Sequence, residues 1–264
     1  SAEVPTGRFQ ALVSTSPLQY DEEAVPDRYT RFKDATWFNS IRNTRLTITG
    51  AGGIGSWTAL ALASAGVERM LLIDYDNVES SNLAGQFFTT SQIGSSKIDA
   101  VRENIRDFTG TIISIHTSEI DENNGIGTVG NLITAFDKIK PRRDAFNHWL
   151  NNQCLYTNPE NNIYIDGRLT FNQIQIFTIR GNDQNRIEDY LKNQLPDDST
   201  IEELSCTLKQ TRFMAMKIAG MISEIFTNHL TNVESGNRHM KVPYFIDYFT
   251  PRMTTTILNE PNVE

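Results

Sequence analysis

A cluster of glycines carries the clearest chemical signal in the sequence. Gly50, Gly52, Gly53 and Gly55 lie in Gly-Ala-Gly-Gly-Ile-Gly, which satisfies the G-x-G-x-x-G pattern. Glycine permits a tight turn and lets backbone N–H groups approach a phosphate, and the helix that follows adds its partially positive N-terminus. The segment therefore predicts a nucleotide-binding turn.

An acid follows at the distance that such a turn requires. Asp74 ends the next apolar segment, about 20 residues beyond the glycines, where a carboxylate accepts the ribose hydroxyls. The motif suits a mononucleotide or a dinucleotide, and taken alone it would favour NAD or NADP.

The elements around the turn alternate between strand and helix. Apolar segments predict strands at 45–50, 69–74, 111–116 and 131–136, and helical patterns cover 57–66, 95–108 and 139–155. Alternation at this spacing predicts an α/β fold, a Rossmann-like doubly wound sheet that is mostly parallel with right-handed crossovers.

The pattern changes in the C-terminal half. Strands are predicted at 162–167, 172–179, 242–249 and 253–258, around a long helix at about 207–230, and together they indicate a mixed, antiparallel extension.

Residues 1–27 are polar and proline-containing, which is typical of an arm that precedes a domain. We expect a single domain over 28–264, with a nucleotide-binding part at about 45–142 and a C-terminal part at about 160–258. Apolar residues of the long helix recur near helical spacing: Phe213, Met216, Met221, Ile222, Ile225 and Phe226.

Composition excludes several classes of protein. Hydrophobic residues make up 39% and charged residues 21%, and the formal net charge is -8, which disfavours general nucleic-acid binding. The sequence contains no apolar run near the roughly 18 residues of a membrane span and no signal-peptide pattern at its start. We therefore expect a cytoplasmic protein.

The two cysteines, Cys154 and Cys206, form no Cys-x-x-Cys pair, and the four histidines are scattered, so a structural zinc site is not expected. Cys154 lies in an apolar segment and is predicted to be part of the core. Cys206 precedes the long helix, where it is a nucleophilic thiol, a small packed residue or part of a helix cap.

Several motifs follow the glycines in a fixed order. Residues 50–56 are Gly-Ala-Gly-Gly-Ile-Gly-Ser, residues 73–83 are Ile-Asp-Tyr-Asp-Asn-Val-Glu-Ser-Ser-Asn-Leu, Gln86 follows, and residues 94–97 are Gly-Ser-Ser-Lys. This series resembles the ThiF/MoeB/HesA family, whose pattern is G-x-G-G-x-G-S, D-x-D-x-V-x-x-S-N-L, a Gln and G-x-x-K. The resemblance covers about 28–142 well and the C-terminal half more loosely.

The resemblance implies an adenylyltransferase of the ubiquitin-activating type. Such enzymes use ATP to adenylate a carboxylate, usually the C-terminal glycine of a ubiquitin-like or sulfur-carrier protein, and release pyrophosphate. It implies that Asp74 holds the ribose, that Asn82 and Lys97 contact phosphates, and that Asp137 binds Mg²⁺, with Arg142 at the family's spacing behind it. Two further residues of the nucleotide-binding motifs are Asp76 and Gln86.

Two more residues gain a role from the resemblance. Arg28-Tyr-Thr-Arg31-Phe is similar to the family's R-Y-x-R-Q segment, whose second arginine enters the partner subunit's ATP site. Arg31 is then either a catalytic residue of a homodimer or a solvated surface residue. Cys206 stands where the family often has the cysteine that receives the acyl group.

The sequence departs from the family at Gly85, where relatives carry a phosphate-binding arginine in S-N-L-x-R-Q. Loss of a guanidinium removes a bidentate contact. Either another arginine replaces it, with Arg168 as our candidate, or turnover is slow or altered. The paired Cys-x-x-Cys zinc ligands of many relatives are also absent, as in the short stand-alone bacterial or phage members.

Four functions remain open at this point. The first is adenylation of a protein C-terminus. The second is adenylation of a small-molecule or tRNA-linked carboxylate, and the third is a degenerate module that binds nucleotide or partner without chemistry. The fourth, an NAD(P)-dependent oxidoreductase, leaves Ser81-Asn-Leu and Lys97 unexplained.

Overall fold

The computed structural model describes residues 27–196 and 211–261, and the chain divides into two compact units, Ser1–Lys33 and Asp34–Glu264. In the described part of the first unit, a 3-10 turn spans Asp27–Tyr29. The ring of Tyr29 lies 5.8 Å from that of Phe32, and the Arg28 guanidinium lies 4.7 Å from the centroid of the same tyrosine ring.

An eight-stranded sheet forms the centre of the second unit, in the order β3-β2-β1-β4-β5-β6-β7-β8. The first five strands run parallel, and the last three are antiparallel. The strands are β1 Arg45–Thr49, β2 Arg69–Ile73, β3 Ser114–His116, β4 Asn131–Thr134, β5 Ile163–Leu169, β6 Gln173–Arg180, β7 Phe245–Phe249 and β8 Thr254–Leu258. The parallel order 3-2-1-4-5 is that of a Rossmann-like sheet, so the predicted fold class is confirmed.

Helices cover both faces of this sheet. They are α1 Phe38–Asn43, α2 Gly53–Ala65, α3 Lys97–Thr109, α4 Ile139–Asn152, α5 Gln184–Asp189 and α6 Arg212–Ser235. Single 3-10 turns span Ser80–Asn82, Thr90–Gln92, Gln153–Leu155, Pro159–Asn161 and Thr250–Arg252, and a π-turn spans Tyr190–Gln194.

Strand β5 shows how the two faces are filled. On one face, Tyr164 packs into a buried aromatic cluster with Phe146 and Trp149 of α4 and with Tyr190. Gly167, three residues on, points to the opposite face. A Cβ there would lie 2.9 Å from Ile222 Cδ1 of α6. The doubly wound arrangement therefore depends on an aromatic layer on one face and a close helix approach on the other.

The long helix differs from its prediction at its first turns. Ile222, Ile225 and Phe226 are buried, as the spacing predicted, but Phe213 and Met216 are 65% and 51% exposed. The prediction was wrong for these two residues because the first turns of α6 show only one narrow face to the protein, through Met214 and Ala215. The predicted start at 207–210 lies outside the described residues.

Cys154 corrects a second prediction. The thiol is exposed instead of lying in the core, although Trp149, one turn earlier, is fully buried. Helix α4 ends at Asn152 and tightens into the Gln153–Leu155 turn, which rotates the cysteine outwards. Its Sγ donates to the Asn151 carbonyl at 3.1 Å.

No helix in the described ranges has both the length and the apolar character that crossing a bilayer requires.

Candidate nucleotide-binding site

The candidate site lies where the winding of the sheet reverses. Strand β1 has β2 on one side and β4 on the other, and a crevice forms outside the carboxyl ends of such strands. The Gly50 N–H donates to the Ile73 carbonyl at 2.8 Å, and the Ala135 N–H donates to the Thr49 carbonyl at 2.8 Å. These bonds join the ends of β1, β2 and β4 around the glycine loop.

Two of the glycines are required by geometry. Gly50 has φ +92°, and a Cβ there would lie 2.8 Å from the Ala135 carbonyl oxygen. A Cβ at Gly55 would lie 1.7 Å from the Gly50 carbonyl oxygen, so no other residue fits without moving the loop. Gly52 and Gly53 form the N-cap and first residue of α2, whose free N–H groups suit an anion.

Asp74 is oriented by the loops on either side of it. Its Oδ2 accepts from the Ala51 N–H at 2.6 Å, and its Oδ1 accepts from the Asp76 N–H at 2.7 Å. An ionised carboxylate has about four acceptor positions, so both oxygens keep capacity for ribose hydroxyls. The predicted ribose ligand thus lies directly beside the glycine loop.

Lys97 and Asp76 form an ion pair of 2.7 Å between Nζ and Oδ2. Lys97 is the first residue of α3 and its side chain is only 11% exposed, whereas that of Asp76 is 50% exposed. The Lys97 N–H also donates to the Asp76 carbonyl at 2.9 Å. The Lys97 ammonium group therefore lies at the N-terminus of a second helix, α3, beside the glycine loop.

Asn82 and Gln86 belong to a short turn that faces the glycines. Asn82 Oδ1 accepts from the Glu79 N–H at 2.9 Å, and its Nδ2 makes no hydrogen bond with residues that the structure describes. A Cβ on Gly52 would lie 3.9 Å from Gln86 Nε2, and Gln86 Oε1 is buried without a partner in the described part of the chain. Both amides are free to bind a ligand in the loop.

Asp137 lies in the loop after β4 and is exposed. Together with Asp74, Asp76 and Glu119 it raises the pKa of the Tyr75 hydroxyl, although burial is the largest cause. These carboxylates therefore make the crevice electronegative. Tyr75, which is 56% exposed, is a site residue that sequence reasoning missed, although it lies between the two motif aspartates.

A buried charge network lies at the carboxyl end of β5. Asp166 pairs with Arg142 and, at 2.8 Å, with Arg168, and it accepts a 2.8 Å hydrogen bond from the Tyr190 hydroxyl. Burial, followed by the charge of Arg168, lowers the pKa of Arg142 to about 10. Arg142 also donates to the carbonyls of Phe136 and Gly167. It therefore braces the loop that carries Asp137.

Arg168 is engaged within this network, since it also donates to the Gln194 carbonyl at 2.7 Å. A different guanidinium lies near Gly85. Arg212 donates to the Leu83 carbonyl, and its Cζ lies 5.9 Å from the centroid of the Trp57 ring. Trp57 Nε1 in turn donates to the Gly85 carbonyl at 3.0 Å. No local motif points to Arg212, because it lies 127 residues beyond Gly85 in the chain.

Two of the predicted catalytic residues are not among the side chains described at this site. Arg31 belongs to the first compact unit, where its side chain is exposed. Cys206 lies outside the described residues. In the described ranges, the acidic, histidine and cysteine side chains form no group of three that could hold a metal.

The fold and the glycine crevice are those of a Rossmann-like domain. The chain belongs to the ThiF family, whose profile matches residues 29–263. The named resemblance is thereby confirmed.

Curated relatives align over part of the chain. Ubiquitin-like modifier-activating enzyme 5 of Drosophila persimilis is 31% identical over 134 residues, which covers 45% of this chain and 35% of that protein. The enzyme of the same name from Branchiostoma floridae is 36% identical over 103 residues, which covers 39% and 24%. The alignments therefore span about a third or less of these relatives.

Solved structures support the same fold over more of the chain. E. coli MccB crystallised with ATP superposes with a TM-score of 0.64 at 15% identity, covering 90% of this chain and 73% of that one. PaaA superposes with a TM-score of 0.62 at 16% identity, covering 91% and 85%. At this identity the likeness concerns the fold.

Proposed function

We propose that this chain is an ATP-dependent adenylyltransferase that activates the C-terminal glycine of a ubiquitin-like or sulfur-carrier protein. The observation that carries the proposal is the meeting of two helix N-termini at one crevice, that of α2 with its glycines and that of α3 with Lys97. Family membership and the ATP-bound fold relative support it. A dinucleotide oxidoreductase would have no need for Lys97 and Asn82 in these places.

ATP would lie along the glycine loop. In this arrangement Asp74 accepts the ribose hydroxyls. The phosphates follow the N-terminus of α2, where Asn82 Nδ2 and the Gln86 amide donate to them. Lys97 would contact the same phosphates, and its ion pair with Asp76, which is hydrogen-bonded to Asp74, keeps the lysine beside the proposed ribose ligand. Ring stacking gives Tyr75 a further role next to the base.

Mg²⁺ fits the site through a single protein ligand. Asp137 is exposed, and no hydrogen bond or ion pair occupies it among the described residues. One carboxylate suffices, because Mg²⁺ takes its remaining ligands from phosphate oxygens and water. When bound, the metal would neutralise part of the phosphate charge in an otherwise electronegative crevice.

The proposed reaction is a nucleotidyl transfer. A carboxylate oxygen of the partner protein bonds to the α-phosphorus of ATP, the bond from that phosphorus to the bridging oxygen breaks, and pyrophosphate leaves. Lys97 offsets the charge that develops on the phosphoryl oxygens and the leaving group. Arg142 keeps the Asp137 loop in place through its bond to the Phe136 carbonyl.

Two further residues, Cys206 and Arg31, extend the proposal. Cys206 would attack the acyl adenylate, forming a thioester and releasing AMP. It precedes Arg212 by six residues, at most about 22 Å of extended chain, and Arg212 contacts the nucleotide-binding turn. Arg31 would complete the site of a partner subunit, so the working unit would be a homodimer.

Two arginines are candidates to replace the family arginine that is absent at Gly85. Arg168 is held by Asp166, whereas Arg212 rests on the Trp57 ring beside the Gly85 carbonyl. We therefore favour Arg212 as the cation that compensates for the missing family arginine.

Pyrophosphate exchange tests the proposal. Purified protein is incubated with Mg·ATP, labelled pyrophosphate and a panel of ubiquitin-like proteins that end in glycine, and label entering ATP is counted. Exchange that depends on the partner and disappears in Lys97→Met supports adenylation. Nucleotide binding without exchange for any carboxylate would indicate that the chain is a binding module that does no chemistry. Thermal stabilisation by NAD alone would overturn the proposal of an adenylyltransferase.

A peptide carboxylate is the second candidate acceptor. Among solved structures of the same fold, E. coli MccB has been crystallised with MccA and with N-formylated MccA. Short peptides belong in the same exchange panel. Exchange with a peptide but with no ubiquitin-like protein would move the substrate to this class.

A further inference from the structure

Two adjoining cavities lie at the edge of the sheet opposite the candidate nucleotide site. They enclose about 260 Å³ and 240 Å³, and Arg180, Arg238 and Asn232 line both. Arg180 ends β6 and pairs with Ile163, the first residue of β5, so it marks the amino edge of the parallel strands. The glycine loop lies at the carboxyl edge. The two sites are therefore separate.

Arginines are crowded around these cavities. Arg186 and Lys241 join Arg180 and Arg238 in the wall of the second cavity. Burial, followed by the neighbouring charges of Arg238 and Arg186, lowers the pKa of Arg180. In a chain of net charge -8, this crowding of like charges is a local exception. Repulsion of this kind is relieved when an anion binds between the charges.

Glu160 lines the first cavity and Glu260 the second, and with Asp183 these carboxylates number three against the four cations Arg180, Arg186, Arg238 and Lys241. Asp183 lies 3.6 Å from Arg180 and 3.2 Å from Arg186, so one acid is shared by two cations. Glu260 pairs with Arg186 at 3.2 Å. Arg238 has no ion pair with residues in the described ranges, and Arg180 Nε is buried without a hydrogen-bond partner there. The Arg238 guanidinium therefore remains free in the cavity wall, among the residues that the structure describes.

The other lining groups limit what can bind. His229 is kept neutral, because burial lowers its pKa to about 4, and its Nε2 lies 2.9 Å from the Asn161 carbonyl. Among the residues that the structure describes, the walls contain no aromatic ring other than this imidazole, so they offer a nucleobase no stacking platform. The volumes are at or below the small end of ligand pockets. A compact, strongly charged ligand fits best.

We propose that the two adjoining cavities bind a phosphate group, either inorganic phosphate or a small phosphate monoester, held by Arg180 and Arg238. Arg180 lines both cavities and, among the described residues, has only a 3.6 Å ion pair with Asp183. Arg238 contributes an exposed guanidinium from the chain after α6. Two guanidiniums in this arrangement suit a tetrahedral oxyanion. The site is independent of the proposed adenylation.

Titration with sodium phosphate tests the site. Thermal unfolding of the whole chain is followed against sodium chloride at equal ionic strength, with binding measured by calorimetry. We expect saturable stabilisation in the wild type and at least a tenfold weaker dissociation constant in Arg238→Gln. Arg252→Gln, which removes an equally exposed arginine away from the cavities, should bind phosphate as the wild type does.

A third variant separates the two sites. Lys97→Gln should keep phosphate binding, because Lys97 lies at the carboxyl edge. If Lys97→Gln loses binding and Arg238→Gln keeps it, phosphate occupies the nucleotide site and the proposal is wrong. The proposal also fails if Arg238→Gln lowers stability in chloride without weakening phosphate binding. That result would show that Arg238 serves only to offset the C-terminal dipole of α6.

Discussion

Lys97 Nζ lies 2.7 Å from Asp76 Oδ2 at the first residue of α3, and the Asp76 N–H is bonded to Asp74. The acid that would hold the ribose and the lysine that would hold the phosphates are therefore linked through one residue. In Lys97→Met we expect pyrophosphate exchange to fall by about 10²- to 10³-fold, the usual effect of removing one stabilising group from a transition state.

The control for this lysine is Lys140, which forms a similar ion pair with Asp144 at 2.9 Å on α4. Lys140→Met should leave exchange within about twofold of wild type, because the Lys140 side chain is 53% exposed and an i,i+4 ion pair on a helix contributes little. Equal losses in the two variants would show that the effect of Lys97→Met comes from stability instead of chemistry.

Gly55 should tolerate no side chain. A Cβ at this position would lie 1.7 Å from the Gly50 carbonyl oxygen, so Gly55→Ala must displace the glycine loop or the start of α2. We expect a loss of about 2 kcal/mol or more in the free energy of unfolding, in the range of overpacked cores. Stabilisation by Mg·ATP should also disappear, as measured by thermal unfolding.

Gly220 provides the matched substitution for that experiment. It lies inside α6, and a Cβ there would meet no atom within 4 Å. Gly220→Ala should raise stability by about 0.5–1 kcal/mol, because alanine favours the helix. An equal loss in Gly55→Ala and Gly220→Ala would contradict the steric argument.

The glycine loop shows how far the sequence can predict the site. Its strand, its glycines and its helix are consecutive in the chain, and so are the residues from Asp74 to Lys97 that face it. Local pattern therefore indicated the fold class, the glycine turn and Asp74, and the family resemblance added Asn82 and Lys97 as candidate nucleotide ligands. The roles of the individual residues toward ATP stay predictions.

The charge network behind the site could not be predicted in the same way. Asp166 meets Arg142 only because β5 lies parallel to β4, in a register that pairs Thr134 with Asp166. The prediction that Cys154 lies in the core was wrong for a related reason. Its apolar neighbours suggested burial, but a single 3-10 turn exposes the thiol. Both outcomes depend on tertiary geometry that no local window contains.

Asp166 should be essential for stability. It is fully buried between two arginines, and Asp166→Asn would leave the buried Arg142 guanidinium without its counter-charge. Removing one partner of a buried pair costs about 3–5 kcal/mol, which urea denaturation would measure. Asp99→Asn is the control, because its pair with Arg102 is 40–45% exposed and should contribute less than about 1 kcal/mol.

Arg212 tests the compensation at Gly85. If its guanidinium replaces the family arginine, Arg212→Ala should raise the KM for ATP at least several-fold, whereas Arg168→Ala should mainly lower stability through its bond to Asp166. Steady-state exchange at varied ATP, with thermal unfolding of the same samples, separates the two effects. An unchanged KM in Arg212→Ala would contradict the proposal.

His229 should make the stability of the protein sensitive to acid. It is buried at the far end of α6, and burial lowers its pKa in the folded state to about 4, against about 6.5 in an unfolded chain. Between these values the unfolded state binds more protons, so the free energy of unfolding falls as the pH falls from about 6.5 towards 4. From pH 7.5 to pH 5 this single group should lower the free energy of unfolding by about 2 kcal/mol.

The variant His229→Gln removes the titrating group. Urea denaturation at the two pH values should therefore give a difference in the free energy of unfolding that is smaller than the wild-type difference by that amount. The variant His116→Gln, which removes an exposed histidine from β3, should retain the full wild-type difference. If His229→Gln retained it too, the pH dependence would have to arise from other groups.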